Sequence, residues 1–244
     1  MSSSNGLSYS AAFSKGEINP PRKQNTSTQT RTVTHINDSK SSLETNRKHE
    51  PPSPSHIPQT GSEEEQVYTL TILTDKPLHK RMTELRKKYF PQNINKVAAH
   101  LTLFHALPGS KLECHIIPTI QEVTRQTSRF RVEATELFRL KKGFAVSVSE
   151  KSGGRQSKQV HRALQAPWKQ EGFLSQQDAG GCRVHYTLMN KVDDELEIQN
   201  AYDEVAGAWE GDSGMAEGLA LWKYDRGFWR WYRAFNFEKG GDQP

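Results

Sequence analysis

Cysteine is scarce: the chain of 244 residues holds only Cys114 and Cys182. Two thiols cannot build a disulfide framework, and no second pair completes a Cys-rich metal cage. A stapled secreted domain and a zinc finger are both excluded. Long hydrophobic runs are missing as well. Charges interrupt every apolar stretch well before the roughly 18 residues that a membrane helix needs, which excludes a transmembrane helix protein. Hydrophobic residues make up 34% of the chain, against about 45–50% apolar usage in ordinary globular domains. Part of the chain is therefore expected to lie outside any core. The opening MSSSNGLSYSAAF has neither the basic start nor the apolar stretch of a secretory signal. A cytoplasmic or nuclear protein with reduced thiols is the expectation.

The composition changes near residue 65. Ser, Thr, Asn, Gln and Pro crowd residues 1–65, which close on PPSPSHIPQTGSEEE, and so few core-forming groups predict a disordered tail. Basic and acidic residues balance there, so the whole net charge of +5 belongs to residues 66–244, as does every Trp. This second segment is the expected folded domain. Its mild positive charge admits an anionic partner without demanding one.

From Val67 the pattern alternates between strand and helix periods. VYTLTILT reads as a strand, LHKRMTELRKKYF as an amphipathic helix and NKVAAHLTLFHAL as a second strand. SKLECHIIPTIQEVTRQ reads as a helix with a break at Pro118, and FRVEATELFRL with GFAVSVSE as two further strands. The remainder repeats the theme: helix GRQSKQVHRALQAPWKQ, strand GCRVHYTLMNKV, helix DDELEIQNAYDEVAGAWE, then a hairpin of GLALWKYD and FWRWYRAFNF turning at Asp225-Arg226-Gly227. The expectation is an α+β fold of two lobes, about 66–150 and 151–238, related by a pseudo-two-fold axis. Two antiparallel-rich sheets with flanking helices would enclose a central cleft.

Each lobe carries one strand with nearly the same text, His100-Leu101-Thr102-Leu103 and His185-Tyr186-Thr187-Leu188. Side chains alternate along a strand, so His100 and Thr102 share one face, and so do His185 and Thr187. A pseudo-two-fold axis would bring those polar faces together. Two imidazoles titrating near neutrality can serve as base and acid on opposite sides of a phosphorus atom. Threonine hydroxyls can donate to the non-bridging oxygens as charge develops. The arrangement calls for no metal and no cofactor. A single H-x-T is most often a partly buried structural histidine; the doubling at corresponding positions favours chemistry.

These paired motifs and the bilobal order resemble the two-histidine phosphoesterase superfamily, which includes RNA 2′,3′-cyclic phosphodiesterases described as 2′-5′ RNA ligases. The resemblance spans about residues 66–238. The wider texts HLTLFHALPG and HYTLMNKV, with the hairpin GFWRWYRAFNF, look most like a eukaryotic, fungal branch. It implies metal-free chemistry on 2′,3′-cyclic or 2′-5′-linked phosphates, with His100, Thr102, His185 and Thr187 as catalytic residues. The partners implied are RNA 3′ ends or cyclic nucleotides. Bacterial relatives often place an arginine soon after the second motif, whereas here Leu188-Met189-Asn190-Lys191 follows, and Lys191 can offer only a point charge.

Phe104 continues the face of His100 and Thr102, where it can stack a nucleobase, although an aromatic ending a central strand also serves as core. His105 falls on the opposite face if the strand stays regular, and His115 and His161 lie in helices without partners at ligand spacing. The terminal hairpin interleaves Trp222, Trp229, Trp231 and Tyr232 with Lys223, Arg226, Arg230 and Arg233. That pattern fits a nucleic-acid surface, and equally an aromatic face over a core with Arg in solvent. Arg86-Lys87-Lys88 and Lys141-Lys142 read as solvated charge runs. The leading expectation is a phosphodiesterase that opens 2′,3′-cyclic phosphates to a 2′-phosphate. A non-catalytic binder of nucleotide or RNA ends, and a 2′-5′ RNA ligase running the reverse reaction, are the alternatives. The symmetry of the motifs leaves the acid and base roles interchangeable, with His185 the first choice as base. Intramolecular doubling lets a monomer complete the site.

Overall fold

The computed structural model describes residues 56–61 and 66–238. The expected tail falls mostly outside the described residues. Its segment 56–61 is described, and there the Gln59 N–H donates to the Phe173 carbonyl at 3.0 Å.

The first strand, β1 (Val67–Thr74), is buried at all but its first position, the mark of a strand covered on both faces. Asp75 then caps α1 (Lys76–Tyr89), its carboxylate accepting the Leu78 N–H at 2.9 Å. Leu78, Met82 and Arg86 recur every fourth residue on the buried side of this helix. The chain continues through β2 (Leu101–Pro108), a 3₁₀ turn (Gly109–Lys111) and a π turn (Leu112–Ile116) to α2 (Ile117–Arg125). Pro118 stands in the first turn of α2, where its missing N–H costs nothing. The expected break is thus a helix start.

Next come β3 (Phe130–Leu140) and β4 (Gly143–Val148), a π turn (Glu150–Gly154), α3 (Arg155–Gln170) and β5 (His185–Met189). Gly143 is required where it stands, because a Cβ there would lie 2.0 Å from the Met189 carbonyl oxygen. Asp194 caps α4 (Glu195–Ala208) through the Leu196 and Glu197 N–H groups. β6 (Asp212–Asp225) and β7 (Phe228–Asn236) form the last hairpin. Arg226 and Gly227 both have positive φ, 47° and 91°, as a two-residue type I′ turn requires.

All seven strands join one antiparallel sheet in the order β2-β1-β6-β3-β4-β5, with β7 also on β6. The α+β architecture is as expected, and the two expected sheets are its two halves. Long β6 joins them: one edge pairs with β1, while the other pairs with β3 through Asp212–Ala216 and with β7 through Gly218–Asp225. The joining segment DSGMAEG is rich in Gly, Ser and acid, so it does not read as strand.

The halves do not follow the chain order expected for the lobes. The β3–β4 hairpin pairs with β5, and β1–β2 with β6–β7, so each half draws on both sides of residue 150. Helices cross in the same way. Tyr89 of α1 meets Phe144 of β4 at 6.0 Å between ring centres, while His161 and Trp168 of α3 pack on Phe104 of β2 at 4.6 and 4.8 Å. One continuous core results, including the fully buried Trp168, Phe104, Phe144 and Phe173. Burying each such ring stabilises the fold by about 1.5–3 kcal/mol. Among the described residues no helix is long and apolar enough to cross a membrane.

Candidate active site

Both H-x-T motifs show the alternation their spacing predicts. His100 immediately precedes β2 and His185 opens β5. His100, Thr102, His185 and Thr187 are all half-buried, whereas Leu101, Leu103, Tyr186 and Leu188 are buried. The polar pair of each strand therefore faces a partly open side, and the apolar pair anchors the strand in the core.

The two histidines are held by the same device. His100 Nδ1 lies 2.7 Å from the Ala98 carbonyl oxygen, and His185 Nδ1 lies 2.7 Å from the Arg183 carbonyl oxygen. A carbonyl only accepts, so each Nδ1 carries its proton and donates. Each Nε2 is thereby left as the nitrogen that can take or give a proton. An aromatic ring from a hairpin also covers each imidazole. Trp229 of β7 lies over His100 at 4.2 Å between centres, and Phe138 of β3 meets His185 edge-on at 5.5 Å. The pseudo-symmetry thus extends from the motifs to their supports.

Arg86 ties the two strands together. Its Nη1 donates to the Thr187 carbonyl at 2.7 Å, while its Nε donates to Asn95 Oδ1 at 3.1 Å and to the Val97 carbonyl at 3.3 Å, just ahead of His100. Its guanidinium also sits 3.7 Å over the Phe90 ring. Arg86 is 4% exposed, so it does not belong to the solvated run expected of Arg86-Lys87-Lys88. The signal is present in the four-residue spacing Leu78, Met82, Arg86, which puts the cation on the apolar stripe of α1.

Two residues change places relative to the expectation because β2 is irregular. Thr71 pairs with Thr102 and Leu70 with Phe104, so one extra residue is accommodated between them. Such a bulge reverses the alternation beyond it. Phe104 is carried into the core, fully buried and stacked on His161, and does not serve as a base platform. His105 becomes exposed and lies near enough to couple electrostatically to both His100 and His185. Asp178, 2% exposed, holds it in place by accepting the His105 and Ala106 N–H groups at 2.8 and 2.9 Å and lying 3.3 Å from His105 Nδ1.

Lys191 stands at the end of β5 away from His185. It is exposed, in left-handed backbone with φ of 63°, beside the β3–β4 turn whose Lys142 carbonyl accepts the Val192 N–H at 3.2 Å. The cations whose charge reaches the histidines are instead Arg86 at His100 and Arg183 at His185. Arg183 lies over the Phe138 ring at 3.5 Å.

These surroundings keep the imidazoles neutral. Burial, then the Arg86 charge, push the pKa of His100 down to about 3, against the opposing pull of the Ala98 carbonyl, and any proton placed on His105 or His185 would add a weaker push the same way. Burial and the Arg183 and His105 charges also lower that of His185, again opposed by its carbonyl partner. A site this rich in fixed positive charge favours an anion, whose arrival would restore protonation.

The profile of a known family matches residues 74–228, which contain both motifs, Arg86 and the start of β7. The chain belongs to the 2′-5′ RNA ligase superfamily. Solved structures of similar fold include E. coli LigT in apo form, 15% identical, covering 72% of this chain and 100% of that one, with a TM-score of 0.50. LigT complexed with NADP+ compares at 16% identity, 73% and 100% coverage and a TM-score of 0.50. A structure named only as a phosphoesterase is 14% identical, with 71% and 99% coverage and a TM-score of 0.51. No curated protein matches the chain. Phosphodiesterase or ligase chemistry is what membership of this superfamily supports.

Proposed function

We propose that the chain is a phosphodiesterase that opens 2′,3′-cyclic phosphates on RNA ends or small nucleotides without a metal ion, leaving a 2′-phosphate. The observation that carries this reading is the pair of H-x-T strands, each histidine held through Nδ1 by the carbonyl two residues before it. One Nε2, unprotonated, takes a proton from water as its oxygen attacks phosphorus. The P–O3′ bond breaks, and the other imidazole, protonated once the phosphate anion sits beside it, delivers a proton to O3′. The product carries a 2′-phosphate and a 3′-hydroxyl. Thr102 and Thr187 donate hydrogen bonds to the non-bridging oxygens as negative charge builds, in a site already biased towards anions by Arg86 and Arg183. LigT, of similar fold, has been solved complexed with NADP+, which fits a nucleotide-sized ligand for this chain too.

Hydrolysis is favoured over ligation because water is present at high concentration, while a second RNA end would have to be held in line. Mass spectrometry of a short RNA ending in a 2′,3′-cyclic phosphate, incubated with the protein and EDTA, tests the reading. A gain of one water with a 2′-phosphate end is expected. An unchanged cyclic end, or turnover only after a divalent ion is added, would overturn it.

A further inference from the structure

The β6–β7 hairpin carries more aromatic surface than the covering of His100 by Trp229 requires. Directly paired residues of an antiparallel ladder point to the same face. Trp222 pairs with Trp231, and Tyr224 with Trp229. Trp229 lies on His100, so all four rings stand on the histidine side of the sheet. The ring centres of Trp222 lie 6.3 Å from Trp229 and 5.1 Å from Trp231. Trp222 Nε1 donates to Thr71 Oγ1 at 2.9 Å, and Thr71 pairs with Thr102, which fixes the aromatic row relative to the first motif.

None of these rings is fully buried, and Tyr224 is 41% exposed. Phe228, at the hairpin tip, is 50% exposed with the Lys96 ammonium 4.8 Å above its ring. Arg226 is exposed in the turn beside it, Lys223 and its partner Arg230 stand on the opposite face, and Asp225, the one acid in the turn, is paired with Arg230 at 2.6 Å. A row of part-exposed rings edged by cations is the composition that binds single-stranded nucleic acid, with bases stacked and phosphates held by charge. It is the contiguity of these part-exposed rings, rather than the exposure of any one of them, that marks an interaction surface.

We propose that this face is a binding surface for single-stranded RNA, which seats the nucleotides leading up to the terminal cyclic phosphate and makes an RNA end, rather than a mononucleotide, the preferred substrate. The proposal rests on the function proposed above and names its substrate class. Bases stack on Tyr224 and the tryptophans; Lys96 and Arg226 hold the phosphates between them.

The test compares kcat/KM for a pentanucleotide ending in a 2′,3′-cyclic phosphate with that for a mononucleoside 2′,3′-cyclic phosphate. Three full-length proteins are measured: wild type, Tyr224→Ala, and the double variant Lys96→Gln/Arg226→Gln. Wild type is expected to prefer the pentanucleotide. Tyr224→Ala should cut that preference about tenfold, as loss of one stacking ring does, with mononucleotide turnover unchanged. The charge variant should flatten the log–log salt dependence for the pentanucleotide by about 0.7 for each phosphate that is no longer held. Equal use of both substrates by wild type, or parallel losses on both, would overturn the surface. If wild type is inert on both, the enzymatic reading fails instead. Fluorescence anisotropy of the same RNA then decides: binding weakened about tenfold by Tyr224→Ala upholds the surface, and equal binding refutes it.

Discussion

Replacing Arg86 by Met probes the link between the two motif strands. The substitution keeps the apolar length that packs beside Phe90 and removes the three hydrogen bonds to Thr187, Asn95 and Val97. Hydrogen bonds to a charged group contribute about 1.5–3 kcal/mol each. The bond to Val97 is long and shares Nε with that to Asn95, so roughly two full bonds are at stake. Against them stands relief from burying a cation, whose cost shows in an Arg86 pKa pushed down to about 10 by burial. The carbonyls of Thr187 and Val97 stay where they are, so the relief is only partial. A net loss of about 3 kcal/mol follows, or about 6–12 °C in thermal midpoint at 2–4 °C per kcal/mol for a domain of this size. Turnover should fall as well, by about 10- to 100-fold, because a shift of an ångström between the His100 and His185 strands misaligns acid and base. Calorimetry and steady-state kinetics on Arg86→Met read both. A midpoint within about 2 °C of wild type together with unchanged kcat/KM would refute the reasoning.

The proposed reaction needs one imidazole neutral and the other protonated, so kcat/KM should be bell-shaped whichever holds which role. Its acid limb is expected near 3, from His100, and its alkaline limb below the ordinary histidine value of 6.5, from His185; a maximum above about pH 7 would contradict this. Trp229→Ala uncovers His100 and lessens the desolvation that depresses it, so the acid limb should move up towards 6.5, and an unmoved limb would show that the ring plays no part. Burial alone would raise the pKa of Asp178, but the hydrogen bonds from the His105 side chain and from the His105 and Ala106 N–H groups prevail and lower it. Its stabilisation is therefore complete above about pH 3.9 and lost as pH falls through the lower folded value. Asp178→Asn should cost about 2 kcal/mol at neutral pH and flatten this acid dependence, as measured by urea unfolding at several pH values.

The site was legible where local periodicity governs. Alternation alone placed His100, Thr102, His185 and Thr187 on one side of their strands and the intervening apolar residues in the core. It failed at the β2 bulge, since nothing in LTLFHALP announces the extra residue that buries Phe104 and turns out His105. Arg86 was hidden by its neighbours: a three-cation run looks solvated until the four-residue stripe of α1 is given priority. Strand texts predicted the two halves of the sheet, but not their union, because the Gly- and Ser-bearing start of β6 owes its extended form to pairing with β1 and β3. Chain order could not reveal that hairpins and helices cross between the halves, which is a matter of long-range packing. Lys191 is close to the second motif only along the chain, whereas the cations acting on the histidines arrive from α1 and from the residue two before His185.

The most direct test of the central claim is turnover of an RNA ending in a 2′,3′-cyclic phosphate, in EDTA, by His100→Ala, His185→Ala and the double variant. Removing an acid or a base should cost about 10²- to 10⁴-fold. In the proposed reaction the two imidazoles act in one step, so the double variant should be hardly slower than either single one. Full activity in either single variant, or losses that simply multiply in the double, would contradict a shared two-histidine site.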